Sequence, residues 1–480
     1  MLELGVIVAL QGALLAAVII LREPKLLIPC VVVGLPFEYL ATRSVDYLGE
    51  GGTTGAIRAF LNPGKAAMLL VIALGIWRAR YEPRRLFPNS AVLLPLVTIL
   101  AILLLAVGWS DTQRPNNALL ILPIYVAFVF VAPSFIEDRR DVERIVVAFL
   151  ATAILLSLVA IAQRYLAPLQ WRSQLFSGGV YRSNATFSDP NNLARFLAIT
   201  VALAVGVVLS TGPRRLTVYL ATPAVLLGLP AIFVTASRSG WLGVVLSVFL
   251  MIFIAPIERW LKFKFALAGA AGLLLTVGLL YALGGAEAQR IRSFTSIGDL
   301  LGQREFLIRA AWEIWKDNPV FGVGSGAFQN QLILGYLYLL PWWAEATLSH
   351  TSLMSILSET GVIGMIGFTF VAVRIAIAFR GAYRDRPHWF SRLFIGWCIV
   401  AVVEIFFQSQ SEGRLFEEPY LWLIFALFVA LELGAGDRAP GDPVPEIAVA
   451  VRATEPGAAW IPPPPIPSSR EPERPSPKPI

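Results

Sequence analysis

The sequence predicts an all-α protein, a polytopic transmembrane helical bundle. Hydrophobic residues make up 56% of the 480 residues, and the mean hydropathy is +0.69. The apolar residues form repeated runs of about 17 to 25 residues, which is the length that crosses a hydrocarbon core of roughly 30 Å as a helix. Transmembrane β-strands would be shorter and would alternate in polarity, so we expect helices.

Thirteen apolar segments are candidate spans, and we expect 12 to 13 spans because two of the segments are short. The first segment has no basic residues before it and is followed directly by charges and a second apolar run, so we expect it to be retained rather than cleaved as a signal peptide. The segments are 4–21, 26–40, 64–77, 90–108, 117–133, 142–163, 192–210, 216–235, 239–255, 265–283, 351–379, 393–410 and 419–433.

The distribution of lysine and arginine predicts the orientation. Alternate loops, from 22–25 to 380–392, hold 18 basic residues in 53 positions, whereas the loops between them hold 13 in 137. Basic residues concentrate in cytoplasmic loops, so the first set is predicted to be cytoplasmic. The long loop 284–349 then faces the periplasm, together with residues 181–192 and 237–239.

Composition argues against two other classes of protein. The net charge of +7 comes from basic residues in short loops between apolar runs, so it indicates membrane topology and no nucleic-acid partner. Cys30 and Cys398 both lie inside apolar runs and predict neither a disulfide framework nor a metal cluster. We expect the lipid bilayer as a partner and no metal.

The long loop is predicted to contain an amphipathic helix at 302–315, which ends where Pro319 cannot continue it. We expect this helix to lie on the membrane surface. The glycine-rich segment 321–326 lacks the Gly-Lys-Ser/Thr of a P-loop, so we expect a turn that brings the backbone close to the membrane. The apolar stripe of the helix is predicted to consist of Ile308, Ala311, Trp312 and Trp315, with Arg304 at its start.

The last segment, 434–480, has 13 prolines in 47 residues and few large hydrophobic residues. This composition predicts a disordered, partly polyproline II tail in the cytoplasm. The transmembrane domain is accordingly predicted to span residues 1–433.

Three residues on the predicted periplasmic face are candidates for chemistry: Arg238, Arg304 and His350. Each has an ordinary alternative, since Arg238 can snorkel to a headgroup, Arg304 can be a solvated helix residue and His350 can cap a helix. His388, the second histidine, lies in a predicted cytoplasmic loop and is not expected to join them.

Five stretches in this order resemble the bacterial O-antigen ligase and O-antigen polymerase family, over roughly residues 180–370. They are Ala185-Thr186-Phe187-Ser188-Asp189-Pro190-Asn191-Asn192-Leu193-Ala194, Ser237-Arg238-Ser239-Gly240-Trp241-Leu242-Gly243, Arg304, Asn318-Pro319-Val320-Phe321-Gly322-Val323-Gly324, and His350 with Leu353, Glu359, Gly361 and Gly364.

The resemblance implies a membrane glycosyltransferase of the GT-C type in the bacterial inner membrane, acting in polysaccharide or lipopolysaccharide biosynthesis of the cell envelope. Such enzymes take a glycan from undecaprenyl diphosphate on the periplasmic face and pass it to an acceptor hydroxyl, with no metal and no other cofactor. The acceptor is lipid A core, another lipid-linked glycan or a protein serine. A ligase, a polymerase and a protein oligosaccharyltransferase therefore all stay open.

The resemblance also suggests roles for the residues. Arg238 and Arg304 are predicted to bind the diphosphate, His350 to act as the general base, and Asn191 and Glu359 to support the site. Direct displacement would invert the anomeric centre. A flippase for lipid-linked glycans is the alternative from another class, although a transporter usually places its site near the membrane midplane, where this sequence has few charges.

Overall fold

The computed structural model describes residues 12, 22–38, 62–80, 88–110, 117–166, 174–176, 180–210, 216–283, 302–344, 346–347, 349–413 and 415–439. Among these residues the regular structure is helical apart from one short antiparallel hairpin, β1 (Gln174–Phe176) and β2 (Val180–Arg182). The α-helices are α1 Leu27–Gly34, α2 Pro63–Ala79, α3 Leu93–Val107, α4 Asn117–Val131, α5 Arg139–Tyr165, α6 Pro190–Leu209, α7 Thr222–Val234, α8 Arg238–Ile254, α9 Arg259–Leu283, α10 Gln303–Asp317, α11 Phe328–Gly335, α12 Ser352–Asp385, α13 Trp389–Glu412 and α14 Pro419–Glu432.

The predicted all-α fold is confirmed. Each apolar segment from 26–40 to 419–433 falls on a helix, whereas the segment 4–21, apart from residue 12, lies outside the described residues. Proline or a capping side chain explains several of the helix starts: Asn62 and Asp138 accept hydrogen bonds from the first turns of α2 and α5. Helix α1 is shorter than its predicted segment and ends just before Pro36, which cannot donate a backbone hydrogen bond.

Length and composition identify α5, α6, α12 and α13 as helices able to cross a membrane. Six further apolar helical segments are shorter, from 10 to 17 residues. The chain is therefore an all-α membrane protein, and its 12 to 13 spans stay a prediction.

Helix α6 lies at the centre of the bundle and packs against α7, α8 and α13. Of its most apolar 18-residue window, 78% is buried inside the protein. An aromatic cluster joins it to its neighbours: the Phe149 ring lies 5.2 Å from that of Trp397, and the Phe196 ring lies 5.2 Å from that of Tyr420. These ring contacts hold the end of α6 that lies next to the candidate site against its neighbouring helices.

Helix α12 lies at the periphery, since only 22% of its apolar window is buried by protein. Its exposed residues are large and apolar, which is unfavourable in water and suits a lipid environment. They include Ile363, Ile366, Phe370, Val373 and Ile377, at helical spacing along one side.

The amphipathic helix of the long loop is confirmed as α10, and the side of it that protein covers shares only Ala311 with the predicted apolar stripe. Trp312 is 45% exposed. The buried side is covered by protein, because the glycine-rich segment and α11 fold back over it. This small apolar cluster consists of Leu307, Ala310, Ala311, Ile314, Val323, Ala327, Phe328 and Leu332.

The first residues of the predicted tail pack against the helices. Ala435 is fully buried, and Asp437 accepts hydrogen bonds from Ser391 and Arg386. Residues 434–439 therefore extend the folded body beyond the predicted boundary at 433. The rest of the proline-rich segment, from residue 440, lies outside the described residues.

Candidate active site at one end of the bundle

Alternate loops gather at opposite ends of the bundle. At one end, Lys25 Nζ lies 2.8 Å from Glu137 Oε2, and the Tyr383 hydroxyl donates to the Ile254 carbonyl at 2.5 Å. Both contacts join helix ends that border predicted cytoplasmic loops. These loops therefore share one end of the molecule.

The other end collects the loops predicted to be periplasmic. Thr186 Oγ1 donates to the Pro36 carbonyl at 2.8 Å, and Ser110 Oγ donates to the Ser325 carbonyl at 3.1 Å. We call this the site end of the bundle. That it faces the periplasm stays a prediction.

Arg182, the last residue of β2, is fixed at the site end by two hydrogen bonds. Its Nε donates to the Thr235 carbonyl at 3.0 Å, and its Nη2 donates to Asn191 Oδ1 at 2.7 Å. The Ser183 amide donates to the Val234 carbonyl at 3.1 Å and holds the strand against the turn between α7 and α8. Asn191, predicted to support the site, thus positions an arginine that the sequence analysis does not identify.

Arg304 lies in the first turn of α10, is partly buried, and makes no hydrogen bond or ion pair with the described residues. Burial lowers the pKa of its guanidinium, and the carboxylates of Glu412 and Asp189 oppose that shift. Burial also lowers the pKa of Arg182. The carboxylates of Asp189 and Glu412 oppose this shift, and the positive charge of Arg304 adds to it. Two arginines therefore lie near each other, where their like charges repel.

A third arginine, Arg195, is buried in α6 with only 2% of its side chain exposed. Its Nη2 pairs with Glu412, the last residue of α13, and its Nη1 pairs with Glu418, the residue that precedes α14. A buried charge is tolerated when it is paired in this way. Arg195 thus ties the centre of the bundle to the loop between α13 and α14.

His350 is held beside this loop. Its backbone is left-handed (φ 55°) and lies against Gly413 (φ 72°), so close that a Cβ on Gly413 would be 3.2 Å from the His350 Cα. The Thr347 hydroxyl lies 3.0 Å from His350 Nε2, and Thr351 Oγ1 donates to the Gln410 carbonyl at 3.3 Å. The histidine therefore lies next to the end of α13 that carries Glu412.

Arg238 is the first residue of α8 and is partly buried. Ser237 caps that helix by accepting a hydrogen bond from the Gly240 amide at 3.2 Å. A Cβ on Gly240 would lie 2.4 Å from the Ala194 Cβ, so glycine lets α8 approach α6 closely. Arg238 thus begins its helix in the turn that carries Thr235, the residue that binds Arg182.

Glu359 has a different place in the structure. Its carboxylate accepts hydrogen bonds from the backbone amides of Gly326 at 2.9 Å and Phe328 at 3.4 Å. Gly322 and Gly361 both have positive φ, and a Cβ on either would meet the other segment's backbone within 2.4 Å. Glu359 therefore fastens the glycine-rich segment to α12. The glycines let the backbone of that segment pass close to the backbone of α12, whereas the sequence analysis expected it to pass close to the membrane.

His388 lies at the end opposite the site end, as predicted. Its Nδ1 accepts a hydrogen bond from the Phe390 amide at 3.3 Å and caps α13. The two histidines of the chain are thus separated by the length of the bundle.

Sequence analysis does not identify Arg182, Arg195 or Glu412. A signal for Arg195 exists, because a charge between Ala194 and Phe196 in an apolar run needs a partner. Arg182 follows no motif and is recognised only when the hairpin brings it to the turn before α8.

The helices and the charged cluster at the site end define an integral membrane protein with an arginine-rich site at one end. Residues 223–369 match the family model described as O-antigen ligase, and this match supports a membrane glycosyltransferase of the ligase or polymerase type. No curated protein matches the chain. The match includes Arg238, Arg304, His350 and Glu359, whereas Arg182 and Arg195 lie before it.

Proposed function

We propose that the protein transfers a glycan from undecaprenyl diphosphate to an acceptor hydroxyl on the periplasmic face, as in O-antigen ligation to lipid A core. The observation that carries the proposal is the pair of neighbouring, partly buried arginines, Arg182 and Arg304, at the end of the bundle that also holds His350.

The arginine pair suits a diphosphate. Two guanidinium groups in a partly buried site repel each other, and a bound dianion relieves that repulsion. Each guanidinium can hold phosphate oxygens through two parallel hydrogen bonds and stays charged at any physiological pH. Arg238, in the turn that contacts Arg182, is the third candidate ligand. Departure of the diphosphate is then assisted by charge already in place.

Arg195 supports this arrangement indirectly. Glu412 and Glu418 would repel a diphosphate if their charges were uncompensated. Because Arg195 pairs with both carboxylates, its charge offsets one of their two negative charges within the protein. Arg195 is in this proposal a positioning residue that makes an acidic loop compatible with an anionic donor.

His350 is the proposed general base. Its imidazole takes the proton of the acceptor hydroxyl while the acceptor oxygen forms a bond to the anomeric carbon. The bond from that carbon to the diphosphate oxygen breaks, and the electron pair leaves with undecaprenyl diphosphate. Attack from the side opposite the leaving group inverts the anomeric centre. The Thr347 hydroxyl, 3.0 Å from Nε2, holds the ring in place.

A ligase, a polymerase and a protein oligosaccharyltransferase share this chemistry and differ in the acceptor. We favour the ligase because the matched family is described as O-antigen ligase. The clustering of charge at one end of the bundle supports an enzyme over a flippase, whose site would be expected near the midplane.

The test is reconstitution of the purified protein with a synthetic undecaprenyl-diphosphate glycan and separate acceptors. His350→Ala should lower the transfer rate about 10²–10⁴-fold with donor affinity nearly unchanged, since a general base acts in the transition state. Arg304→Ala should weaken donor binding as well as transfer, and Arg304→Lys should restore only part of both. Lys316→Ala on the same helix is the control, because its side chain is exposed.

Three results would contradict the proposal. An active His350→Ala protein removes the base role. Donor affinity that is lost in His350→Ala but kept in Arg304→Ala exchanges the two roles. Movement of labelled donor across a bilayer without transfer to any acceptor identifies a flippase instead of an enzyme.

A further inference from the structure

A cavity of about 470 Å³ lies at the end of the bundle opposite the site end. We call it the basal cavity. Three parts of the chain enclose it: the first turn of α5, the residue before α13 and the turn after α14. Its polar lining consists of Arg139, Arg140, Glu143, His388, Asp437 and Arg438.

The carboxylates of the basal cavity already have cationic partners. Glu143 Oε1 accepts a hydrogen bond from Arg139 Nε at 3.0 Å, and Asp437 Oδ2 accepts one from Arg386 Nη1 at 2.8 Å. Pairing neutralises most of the negative charge that would oppose an anion. The positive charge of Arg140 is then left in excess at the rim of the cavity.

Arg438 contributes a second positive charge. Among the described residues, its guanidinium donates to two neutral acceptors, the carbonyls of Gly434 and Leu433. Three carboxylates lie near it, those of Glu137, Asp138 and Asp437, but each has another partner. Glu137 Oε2 is 2.8 Å from Lys25 Nζ, and Asp138 accepts a hydrogen bond from the first turn of α5. Arg438 is therefore available to attract an anion.

His388 adds a hydrogen-bond donor. Because its Nδ1 accepts from the Phe390 amide at 3.3 Å, the proton of the neutral ring lies on Nε2. The cavity also lies at the first turns of α5 and α13, whose helix dipoles favour negative charge. Every one of these features points to an anionic ligand.

The position of the basal cavity identifies the class of anion. Helices α5 and α13 are both long and apolar enough to span a membrane, so we expect their first turns at the depth of lipid phosphates. The Arg139 guanidinium stacks over the rings of Trp389, at 5.6 Å, and Phe390, at 4.4 Å. Tryptophan favours this boundary between lipid and water.

We propose that the basal cavity binds the phosphate headgroup of an anionic phospholipid, through Arg140, Arg438 and the Nε2–H of His388. Inorganic phosphate offers similar chemistry, but it would have no reason to meet a site at the level of the headgroups. Basic pockets between helices at this depth bind anionic lipid headgroups in other membrane proteins. The inference is independent of the proposed transfer reaction.

The test uses the full chain, delipidated in neutral detergent and titrated with short-chain phosphatidylglycerol. Saturable binding is followed by native mass spectrometry and by the rise in Tm. We expect Arg140→Gln with Arg438→Gln to weaken binding at least 10-fold. Arg380→Gln is the matched control, since Arg380 is an exposed arginine at the same end of the bundle but outside the cavity. The control should bind as the unaltered protein does.

Arg140→Gln alone is the second variant, because Arg140 is exposed and its loss should not affect folding. A several-fold weaker binding in this variant supports the proposal if the double variant misfolds. Equal binding by Arg140→Gln and Arg380→Gln overturns it, as does equal binding of phosphatidylcholine. Inorganic phosphate that blocks phosphatidylglycerol at equal concentration assigns the cavity to a soluble anion and overturns the lipid assignment.

Discussion

Gly413→Ala tests whether the position of His350 matters for transfer. Alanine at φ 72° is strained by about 1–2 kcal/mol, because its Cβ meets the following carbonyl oxygen. The same Cβ would lie 3.2 Å from the Cα and the amide nitrogen of His350, a contact close enough to displace that backbone by a few tenths of an ångström. A misplacement of about 1 Å can cost about 10²-fold in rate, so we expect a loss of roughly 10-fold.

The assay measures transfer rate, donor affinity and Tm together. Gly434→Ala is the control, because Gly434 also has positive φ (91°) and lies at the other end of the bundle, where a Cβ would meet only the tip of the Arg386 side chain at 3.2 Å. Both variants should lose similar stability, but only Gly413→Ala should lose activity at unchanged donor affinity. Full activity of a folded Gly413→Ala protein would refute the positioning of His350 by this glycine.

Three further predictions concern the site and the topology. Arg182→Gln and Arg304→Gln should each weaken donor binding. Their effects should not add, because both arginines bind the same diphosphate. Strictly additive losses in a double-mutant cycle would contradict a shared ligand. Single cysteines within 302–344 should react with an impermeant thiol reagent in cells with a permeabilised outer membrane, whereas those within 380–392 should not; the opposite pattern would place the site in the cytoplasm. Deletion of 440–480 should leave the transfer rate per folded molecule unchanged, and a loss at equal folding would show that the tail contributes to transfer.

The positions of the helices were predictable because each depends on local sequence. Apolar runs of sufficient length must be helical in lipid, and residues such as Pro319 end a helix wherever they occur. The side of a helix that protein buries does not follow from local sequence in the same way. The sequence analysis placed Ile308 and Trp312 in the apolar stripe of α10, whereas Leu307 and Ile314 are the residues that protein buries. Which side of α10 is buried depends on which segment folds over the helix.

The candidate site was predicted only where a motif carries it. Arg304 and His350 lie in stretches that resemble a known family, so the resemblance identifies both residues as candidates. Arg182 reaches the site through contacts with residues 9 and 53 positions further along the chain, and Arg195 pairs with residues more than 200 positions away. No local pattern encodes such separations. An arginine inside an apolar run still indicates that a partner exists, even when the partner cannot be named.

The proposed base and one proposed diphosphate ligand are carried by a single structural unit. Helix α10, with Arg304, packs against α12, and the glycine-rich segment that follows α10 is fastened to α12 by Glu359. His350 lies immediately before α12 begins. The spacing between Arg304 and His350 therefore depends on contacts within this unit, whereas Arg182 and Arg195 belong to the separate group formed by β2 and α6. A donor bound between the two groups would contact both, so its affinity should report on their relative position as well as on charge.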